Sequence, residues 1–369
     1  MSRLRRLSLR AFRNYARADL EFGEGTTVFV GRNGQGKSNL LEAVYLVATG
    51  RSHRTSREAE MIRWGEDAAR IRAQVSRGGR EEELEITLVR EGERCAVRMR
   101  VNGTLAPRGA VLGRLPVVMA SPWDLEIVRG SGASRRRLLD GALAQLSPAY
   151  FFALHRYHRV LSQRNAQLRS RSAGSLDPWD AQLTALGVRI AAHRAGYVER
   201  LRPLAQAWFA RLGGEGSLTV AYRPSWEGAT DDQRLETARA LIARLRADEY
   251  RRGMTLAGPH RDDLEFALDG FPLRAIGSLG QWRTAMLALR LAERDVMADE
   301  MGTGPVLLLD DALAELDPVR QRRVLGADEP GQVLATATAP PDTDRPVRWA
   351  EVEAGTVTER PWSRPSAIS

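Results

Sequence analysis

A glycine-rich loop that ends in a lysine carries the clearest chemistry in this sequence of 369 residues. Residues 31–38 read Gly-Arg-Asn-Gly-Gln-Gly-Lys-Ser and fit the phosphate-loop pattern G-x-x-x-x-G-K-[ST] at every specified position. Such a loop aims backbone N–H groups at phosphate oxygens, and the helix that follows adds partial positive charge. The pattern predicts that Lys37 binds the β- and γ-phosphates of ATP and that Ser38 is a ligand of Mg²⁺.

The neighbouring residues favour a true phosphate loop over a chance match. A β-branched and aromatic run, residues 26–30, predicts a buried strand before the loop, and the Leu- and Ala-rich run after it predicts a helix. Lys37 is the only lysine in the chain, so a compact ammonium is placed where a guanidinium would not fit. We expect Arg13 and Asn14 to line the α-phosphate side. The other predicted nucleotide-binding residues are Gly31, Arg32, Asn33, Gly34, Gln35, Gly36, Lys37, Ser38 and Asn39.

Two adjacent carboxylates follow a second buried run, residues 305–309. The run predicts a parallel strand, and acidic residues at its end are typical of a Walker B motif. We expect Asp310 to hold Mg²⁺ beside Ser38 and Asp311 to polarise the attacking water. A strand-end pair that serves only as a cap is the alternative, but adjacent buried carboxylates repel each other unless a cation is near.

A second anion-binding helix start lies at residues 277–281. Ser278 and Gly280 place a hydroxyl and free backbone N–H groups at the beginning of a long amphipathic helix that contains Gln281. Further on, Asp317 precedes a proline and is expected to cap another helix. One chain therefore offers two anion sites but one lysine-bearing loop, which predicts a homodimer in which Ser278 of each copy completes the other's site.

Composition and charge indicate a cytoplasmic protein with a polyanionic partner. The single cysteine, Cys95, excludes a disulfide framework, and the sequence has no apolar run long enough to span a membrane. The formal net charge is +9, and arginines are clustered. Such clusters favour DNA, although solvated surface arginines are the alternative. The candidate DNA-binding residues are Arg51, Arg54, Arg135, Arg136 and Arg137.

The element pattern predicts an α/β nucleotide-binding head that is split by a helical insertion. Strands are expected over 3–10, 17–22, 68–76, 83–90, 94–101, 115–119, 263–268 and 332–336. Between them, two helices with matching 3.5-residue apolar spacing start at Ser147-Pro148 and Asp177-Pro178 and predict a coiled-coil-like hairpin. A third helix is expected near 231–252. We place the N-terminal half of the head at 1–122, an all-α arm at 123–253 and the C-terminal half at 254–369.

Several of these motifs resemble known families. Ser278-x-Gly280-Gln281 resembles the signature motif of ABC-type ATPases, and Glu315-Leu316-Asp317 resembles their D-loop. Further stretches, in family order, are similar to the RecF family of bacterial recombination mediators, which are SMC-like ABC ATPases. They are Phe12-Arg13-Asn14-Tyr15, Asn39-Leu40-Leu41-Glu42-Ala43, Gly50-Arg51-Ser52-His53-Arg54-Thr55, Ser121-Pro122-Trp123-Asp124-Leu125, Arg135-Arg136-Arg137-Leu138-Leu139-Asp140, Gln163-Arg164-Asn165 and Gly258-Pro259-His260-Arg261-Asp262-Asp263-Leu264.

The resemblance implies an ABC-type ATPase head with a short helical arm. It implies that ATP joins two heads, that the dimer clamps single-stranded or gapped DNA, and that weak, DNA-stimulated hydrolysis releases it. It also implies a role in recombinational repair and replication with RecR and RecO, which help to load RecA. The nucleotide-binding subunit of an ABC transporter, or another SMC-like ATPase, is the alternative. The arginine clusters argue against the transporter, and the short insertion argues against long coiled-coil arms.

Two features depart from the ABC pattern. The usual switch histidine is missing after strand 332–336, where Thr336 or Thr338 stands instead. No glutamine is identified for the Q-loop; Gln74 is a candidate, but it also fits an ordinary strand position. Both departures indicate slow turnover.

Overall fold

The computed structural model describes residues 2–170, 175–313, 316–325, 331–340 and 347–360. Within these ranges, every helix is too short or too polar to cross a lipid bilayer. The chain forms two compact units. The first draws its described residues from Met1–Asp124, Trp208–Gly214 and Met286–Ser369, and the second from Leu125–Ala207 and Glu215–Ala285.

The strands alternate with few helices at both ends of the chain. They are β1 (Ser2–Phe12), β2 (Tyr15–Glu21), β3 (Thr26–Val30), β4 (Ala68–Arg77), β5 (Arg80–Glu91), β6 (Arg94–Val101), β7 (Thr104–Leu105), β8 (Val117–Ala120), β9 (Leu218–Arg223), β10 (Asp263–Leu268), β11 (Phe271–Pro272), β12 (Val306–Leu309), β13 (Val333–Ala337), β14 (Arg348–Glu353) and β15 (Thr356–Arg360). Every strand expected from the sequence is present, to within three residues at either end.

The helices concentrate in the middle of the chain. They are α1 (Lys37–Thr49), α2 (Arg108–Val111), α3 (Leu125–Arg129), α4 (Gly132–Leu146), α5 (Pro148–Ser170), α6 (Asp177–Arg211), α7 (Asp231–Arg252), α8 (Leu273–Ile276), α9 (Leu279–Met301) and α10 (Pro318–Leu325). Short 3₁₀ turns occupy Glu58–Met61 and Pro122–Asp124. The helix hairpin and the helix near 231–252 are confirmed, whereas α4 was not anticipated.

The first unit packs two sheets around α1. One sheet has the order β15-β14-β3-β13-β12-β8, in which β14, β3, β13, β12 and β8 are parallel. The other has the order β2-β1-β4-β5-β6-β7 and is antiparallel. Apolar side chains of α1, including Leu40, Leu41 and Val44, join both sheets in one core. Burial on both sides explains why β3 and β12 read as continuous apolar runs.

The tail beyond Pro340 adds strands that the sequence left unplaced. β14 pairs in parallel with β3, the strand that leads to the glycine-rich loop, and β15 pairs antiparallel with β14. The first unit is thus built from both ends of the chain. This arrangement brings the turn between β14 and β15 to the loop.

The second unit corrects the predicted all-α arm. It contains α3, α4, α5, α6 as far as Ala207, α7 and α8, but also the antiparallel sheet β11-β10-β9, in which Leu218–Arg223 pairs with Asp263–Leu268. The unit therefore extends to Ala285, beyond the boundary expected at 253. The sequence could not reveal this pairing because its two strands are separated by the whole of α7.

A buried arginine joins the helices of the hairpin to the helix that follows them. Arg164 is completely buried; its Nε donates to Asp180 Oδ1 at 2.6 Å and its Nη2 to Glu249 Oε2 at 2.6 Å. Its Nη1 donates to Thr255 Oγ1 at 2.8 Å. Since a buried charge requires compensating partners, this network fixes how α5, α6 and α7 meet.

Candidate nucleotide-binding site

The conformation of the glycine-rich loop requires its glycines. Gly34 and Gly36 have φ angles of 82° and 114°, which L side chains rarely adopt. A Cβ at Gly31 would lie 2.3 Å from the Val352 carbonyl oxygen, and one at Gly36 would lie 2.5 Å from Asn14 Nδ2. The loop therefore passes so close to its supports that only glycine fits, and it enters α1 directly at Lys37.

Two distant segments hold the loop in place. Asn14 Nδ2 donates to the Gln35 carbonyl at 2.8 Å, and Asn39 Nδ2 donates to Asn14 Oδ1 at 2.8 Å. From the turn after β14, Gly355 N donates to the same Gln35 carbonyl at 3.2 Å, and Ala354 N donates to Gln35 Oε1 at 2.7 Å. Asn14 and Gln35 thus shape the loop.

Lys37 lies folded against the loop that precedes it. Its ammonium donates to the carbonyls of Gly31 at 2.7 Å and Arg32 at 3.0 Å, and the residue is almost completely buried. An ammonium has three donors, so these two contacts leave one for an incoming anion. The arrangement fixes a positive charge at the entrance of α1, where the helix dipole also favours negative charge.

Ser38 and the two strand-end carboxylates meet on the other side of the loop. The Ser38 hydroxyl is close enough to Asp310, which directly follows β12, to favour the charged form of this carboxyl. Burial raises the pKa of Asp310, and the charge of Asp311 adds to this, against the hydrogen bonds from Ser38 and Thr336. Asp311 has a φ of 50°, a left-handed conformation that is uncommon for non-glycine residues, although aspartate adopts it more readily than most, and that is often found at functional sites.

Thr336, one of the two residues expected in place of the switch histidine, lies beside both strand-end carboxylates. It is fully buried, and its Oγ1 accepts a hydrogen bond from Asp311 N at 2.8 Å. The same oxygen lies 3.0 Å from Asp310 Oδ1 and 3.2 Å from Asp311 Oδ1. Thr338, the other residue that the sequence allowed here, is exposed. Thr336 therefore positions both carboxylates.

Replacing Thr336 by valine tests this positioning role. Thr336→Val keeps the side-chain shape but leaves Asp311 N without its acceptor, which we expect to cost about 1–3 kcal/mol of stability. Phosphate release from ATP should fall by about tenfold, as for loss of about 1.4 kcal/mol in the transition state. Thr338→Val is the matched control. Equal phosphate release by the two variants would show that Thr336 does not contribute to ATP hydrolysis.

Glu42, a residue that sequence reasoning missed, connects the loop helix to its flanking arginines. The side chain is fully buried, and Arg13 donates to it through Nε at 2.8 Å and Nη2 at 2.7 Å. Ser52 donates at 2.5 Å, and Arg54 Nη1 lies 3.4 Å away. Burial would raise the pKa of Glu42, but these hydrogen bonds and charges hold it below the usual value. An acidic residue within the Leu- and Ala-rich run was the available signal.

This network gives Arg13, one of the predicted nucleotide-binding residues, a structural role. Arg13 uses most of its guanidinium on Glu42 and on the Glu60 carbonyl, so it orients the loop helix. Arg54 also donates to Asn39 Oδ1 at 2.7 Å, beside the loop, and is exposed. Arg51 is exposed as well. DNA binding by Arg51 and Arg54 therefore stays a prediction.

In the second unit, the residues of the signature motif cap α9. Ser278 Oγ accepts from Gln281 N at 3.2 Å, and Ser278 N donates to Gln281 Oε1 at 2.8 Å, which is a reciprocal capping box. Leu279 and Gly280 follow at the exposed helix start, where N–H groups lack intrahelical acceptors.

The D-loop residue Asp317 lies in the first unit and caps α10, as expected. Its Oδ1 accepts a hydrogen bond from Arg320 N at 2.9 Å. Glu315 lies outside the described residues.

The structure corrects the DNA-binding prediction for two arginines of α4. Arg135 is buried and donates to both carboxylate oxygens of Asp263, at 2.6 and 2.8 Å. Arg136 Nη1 donates to the Asp262 carbonyl at 2.5 Å. Only Arg137 of the three is exposed. The charges of Arg135 and Arg136 therefore hold the second unit together.

This correction predicts a stability defect for Arg135→Ala. Removal of the guanidinium leaves Asp263 and two backbone carbonyls without their donor, so we expect the free energy of unfolding to fall by about 2 kcal/mol. Arg137→Ala, the neighbouring control, should change it by less than about 0.5 kcal/mol. Urea unfolding of the two variants measures the difference. If Arg135→Ala instead unfolds like the parent chain but binds DNA less tightly, the correction fails.

Known proteins with similar sequences belong to the same class of protein that the site indicates. The family described as "RecF/RecN/SMC N terminal domain" matches residues 3–329. DNA replication and repair protein RecF of Synechocystis sp. is 42% identical over 97% of this chain and 98% of its own length. The corresponding protein of Gloeobacter violaceus is 44% identical over 91% of this chain and 92% of its own.

Solved structures give the same result. A structure described as the recombination mediator protein RecF with ATP in the RecFOR pathway matches 98% of both chains, with a TM-score of 0.90 and 31% identity. An Smc head domain from Pyrococcus furiosus shares only the fold, with a TM-score of 0.57 and 17% identity. The fold and the phosphate loop thus define a P-loop ATPase head of the ABC and SMC type. Within that class, the chain belongs to the RecF family.

Proposed function

We propose that this chain is an ATP-binding, DNA-binding protein of recombinational repair and replication. Two copies hold ATP between the phosphate loop of one and Ser278 of the other, and the closed dimer clamps DNA. The observation that carries the proposal is the placement of Asp310 and Asp311, which Thr336 holds at the end of β12, beside Ser38 at the end of the phosphate loop. A phosphate loop and an acidic strand end are joined there as ATP hydrolysis requires.

The chain's own residues take distinct roles in this proposal. Backbone N–H groups of residues 31–38 bind the phosphates, and Lys37 neutralises the β- and γ-oxygens. Ser38 and Asp310 are adjacent oxygen donors that fit Mg²⁺, which supplies charge neutralisation when it is bound. Asp311, held by Thr336, orients water for slow hydrolysis. The capped, exposed start of α9 offers Ser278 and Gly280 to the partner's γ-phosphate.

Partners are assigned by family membership. The matched solved structures are described as RecF in the RecFOR pathway, with ATP or an ATP analogue. We extend this to the present chain and propose that RecR and RecO act with it, in the cytoplasm, to help load RecA.

ATP-dependent DNA binding tests the proposal. A fluorescently labelled gapped duplex should bind more tightly when the protein is saturated with ATP, because closing the dimer creates the binding surface. The affinity should fall steeply with salt, because arginine–phosphate contacts release counterions. Anisotropy titrations with and without ATP, at several salt concentrations, measure both effects. The same DNA affinity with and without ATP would contradict the proposal.

A further inference from the structure

The antiparallel sheet of the first unit has one buried and one exposed face. Inward-facing side chains such as Leu7, Ile71 and Leu84 belong to the core around α1. The alternate residues of β2, β1, β4, β5 and β6 point to the solvent, because successive side chains in a strand face opposite ways. The register of these strands therefore fixes which exposed residues lie side by side.

Two neighbouring rows across the sheet are dominated by arginine. Strand pairing aligns one row in strand order as Arg17, Arg10, Arg70, Thr87 and Arg98. The adjacent row, two residues along each strand, reads Asp19, Ser8, Arg72, Glu85 and Arg100. We call the six arginines of these rows the arginine face; they are Arg10, Arg17, Arg70, Arg72, Arg98 and Arg100.

This arrangement places like charges directly opposite each other. Arg10 is paired across the strands with Arg17 on one side and Arg70 on the other, which is unfavourable for an isolated sheet. Two carboxylates offset part of the repulsion. Asp19 accepts from both Arg10 and Arg17 at 3.0 Å. It thus serves two guanidinium groups at once.

Glu85 lies close to three arginines, whereas Asp19 contacts two. It accepts from Arg72 at 2.5 Å and from Arg100 at 3.3 Å, and Arg70 lies 4.0 Å away. A third carboxylate, Glu91 of β5, lies outside the two rows, and its Oε1 is 3.6 Å from Arg98 Nη2. Six arginines against these three carboxylates leave an excess of three positive charges. Burial alone would raise the pKa values of Asp19 and Glu85, but the hydrogen bonds and charges of these arginines lower them by more. Both pKa values are therefore below normal, and both carboxylates are ionised at neutral pH.

The excess positive charge lies within the arginine face and is exposed to solvent. The next row along the sheet is mixed and reads Glu21, Arg6, Gln74 and Glu83. In the arginine face, the side chains are between 40% and 73% exposed. Every residue in the two rows is Arg, Ser, Thr, Asp or Glu, so the surface has no apolar side chain to anchor a protein or a lipid tail.

We propose that the arginine face binds the phosphate backbone of DNA, an inference that rests on the proposed DNA-binding function. Five strands at about 4.8 Å spacing make each row about 19 Å long, and the two rows lie about 7 Å apart. That is enough to follow several consecutive phosphates of one strand. Guanidinium groups match phosphate oxygens in bidentate geometry, and a bound polyanion removes the like-charge repulsion within the rows.

Replacing two arginines of this face tests the proposal. Arg70→Gln with Arg98→Gln should weaken binding of a labelled gapped duplex by at least about tenfold near 0.15 M salt, with ATP saturating. The slope of log affinity against log salt should become less steep by about 1.4 to 1.8, for two lost phosphate contacts. Arg239→Gln with Arg244→Gln, on the exposed side of α7, makes the same charge change and should leave the slope unaltered.

A purely structural role predicts a different pattern. If the arginines only form surface ion pairs, the double variant should lose stability and keep its DNA affinity; on our proposal its thermal midpoint is unchanged or higher. Should that variant fail to fold, Arg17→Gln with Arg98→Gln, on outer strands, provides the same measurement. An unchanged affinity and salt slope overturns the proposal. ATP-independent DNA binding by the parent chain would instead contradict the proposed function.

Discussion

Asp311→Asn lowers the rate of ATP hydrolysis on the order of a hundredfold or more and leaves ATP binding intact. An amide cannot accept the proton of the attacking water, and loss of a general base typically costs a factor of about 10² to 10⁴. Asparagine tolerates the left-handed φ of 50° at this position, so the strand end keeps its shape. Because hydrolysis opens the dimer, the variant should accumulate as an ATP-bound dimer with a long lifetime on DNA.

The matched control for this variant is Asp299→Asn. Asp299 is an exposed residue of α9, and its replacement makes the same charge change away from the loop. Phosphate release over single and multiple turnovers, together with the mass of the ATP-bound species, distinguishes the two variants. Hydrolysis at the parent rate by Asp311→Asn would show that another group activates the water.

Ser278→Arg should abolish ATP-dependent pairing while each single chain still binds ATP. In the proposed dimer, Ser278 approaches the partner's γ-phosphate, where a long side chain would keep the helix start away from the nucleotide. The phosphate loop belongs to the first unit and Ser278 to the second. We therefore expect one chain to bind ATP through its loop when Ser278 is replaced. A fluorescent ATP analogue and sedimentation at saturating ATP measure the two properties separately.

The capping role of Ser278 requires its own control. Since Ser278 Oγ accepts from Gln281 N, arginine also removes an N-cap, which costs about 1 kcal/mol. Ser278→Asp preserves the cap but places a carboxylate opposite the γ-phosphate, so it should also prevent pairing. The proposal that two chains share one nucleotide site is wrong if Ser278→Asp forms the dimer normally. It is also wrong if Ser278→Arg loses ATP binding to the same extent as dimer formation.

The parts of this protein that could be predicted are those set by local sequence. The phosphate loop is contiguous, and its strand, glycines and helix all lie within residues 26–49. Helix α5 was located because Ser147-Pro148 and the apolar spacing after it are local signals. Helix α7, expected near 231–252, begins with a capping box at Thr230, which is also a local signal. Strands β1, β4 and β5 lie where strands were expected from the local sequence.

The remaining features depend on partners that are distant in the chain. Arg135 is near Arg137 in sequence, but only Arg135 meets Asp263, 128 residues away. Thr336 became a candidate for the switch position from its place after a strand, yet its contact with Asp310 follows from the pairing of β12 with β13. The arginine face arises in the same way, since strand register, not sequence neighbourhood, aligns Arg17, Arg10 and Arg70.

Sedimentation of the chain with Mg²⁺, a slowly hydrolysed ATP analogue and a short gapped duplex tests the central claim most directly. The account predicts a species with twice the mass of one chain, one nucleotide per copy and bound DNA, which returns to single chains when the nucleotide is removed. Single chains at saturating analogue, with or without DNA, would contradict it.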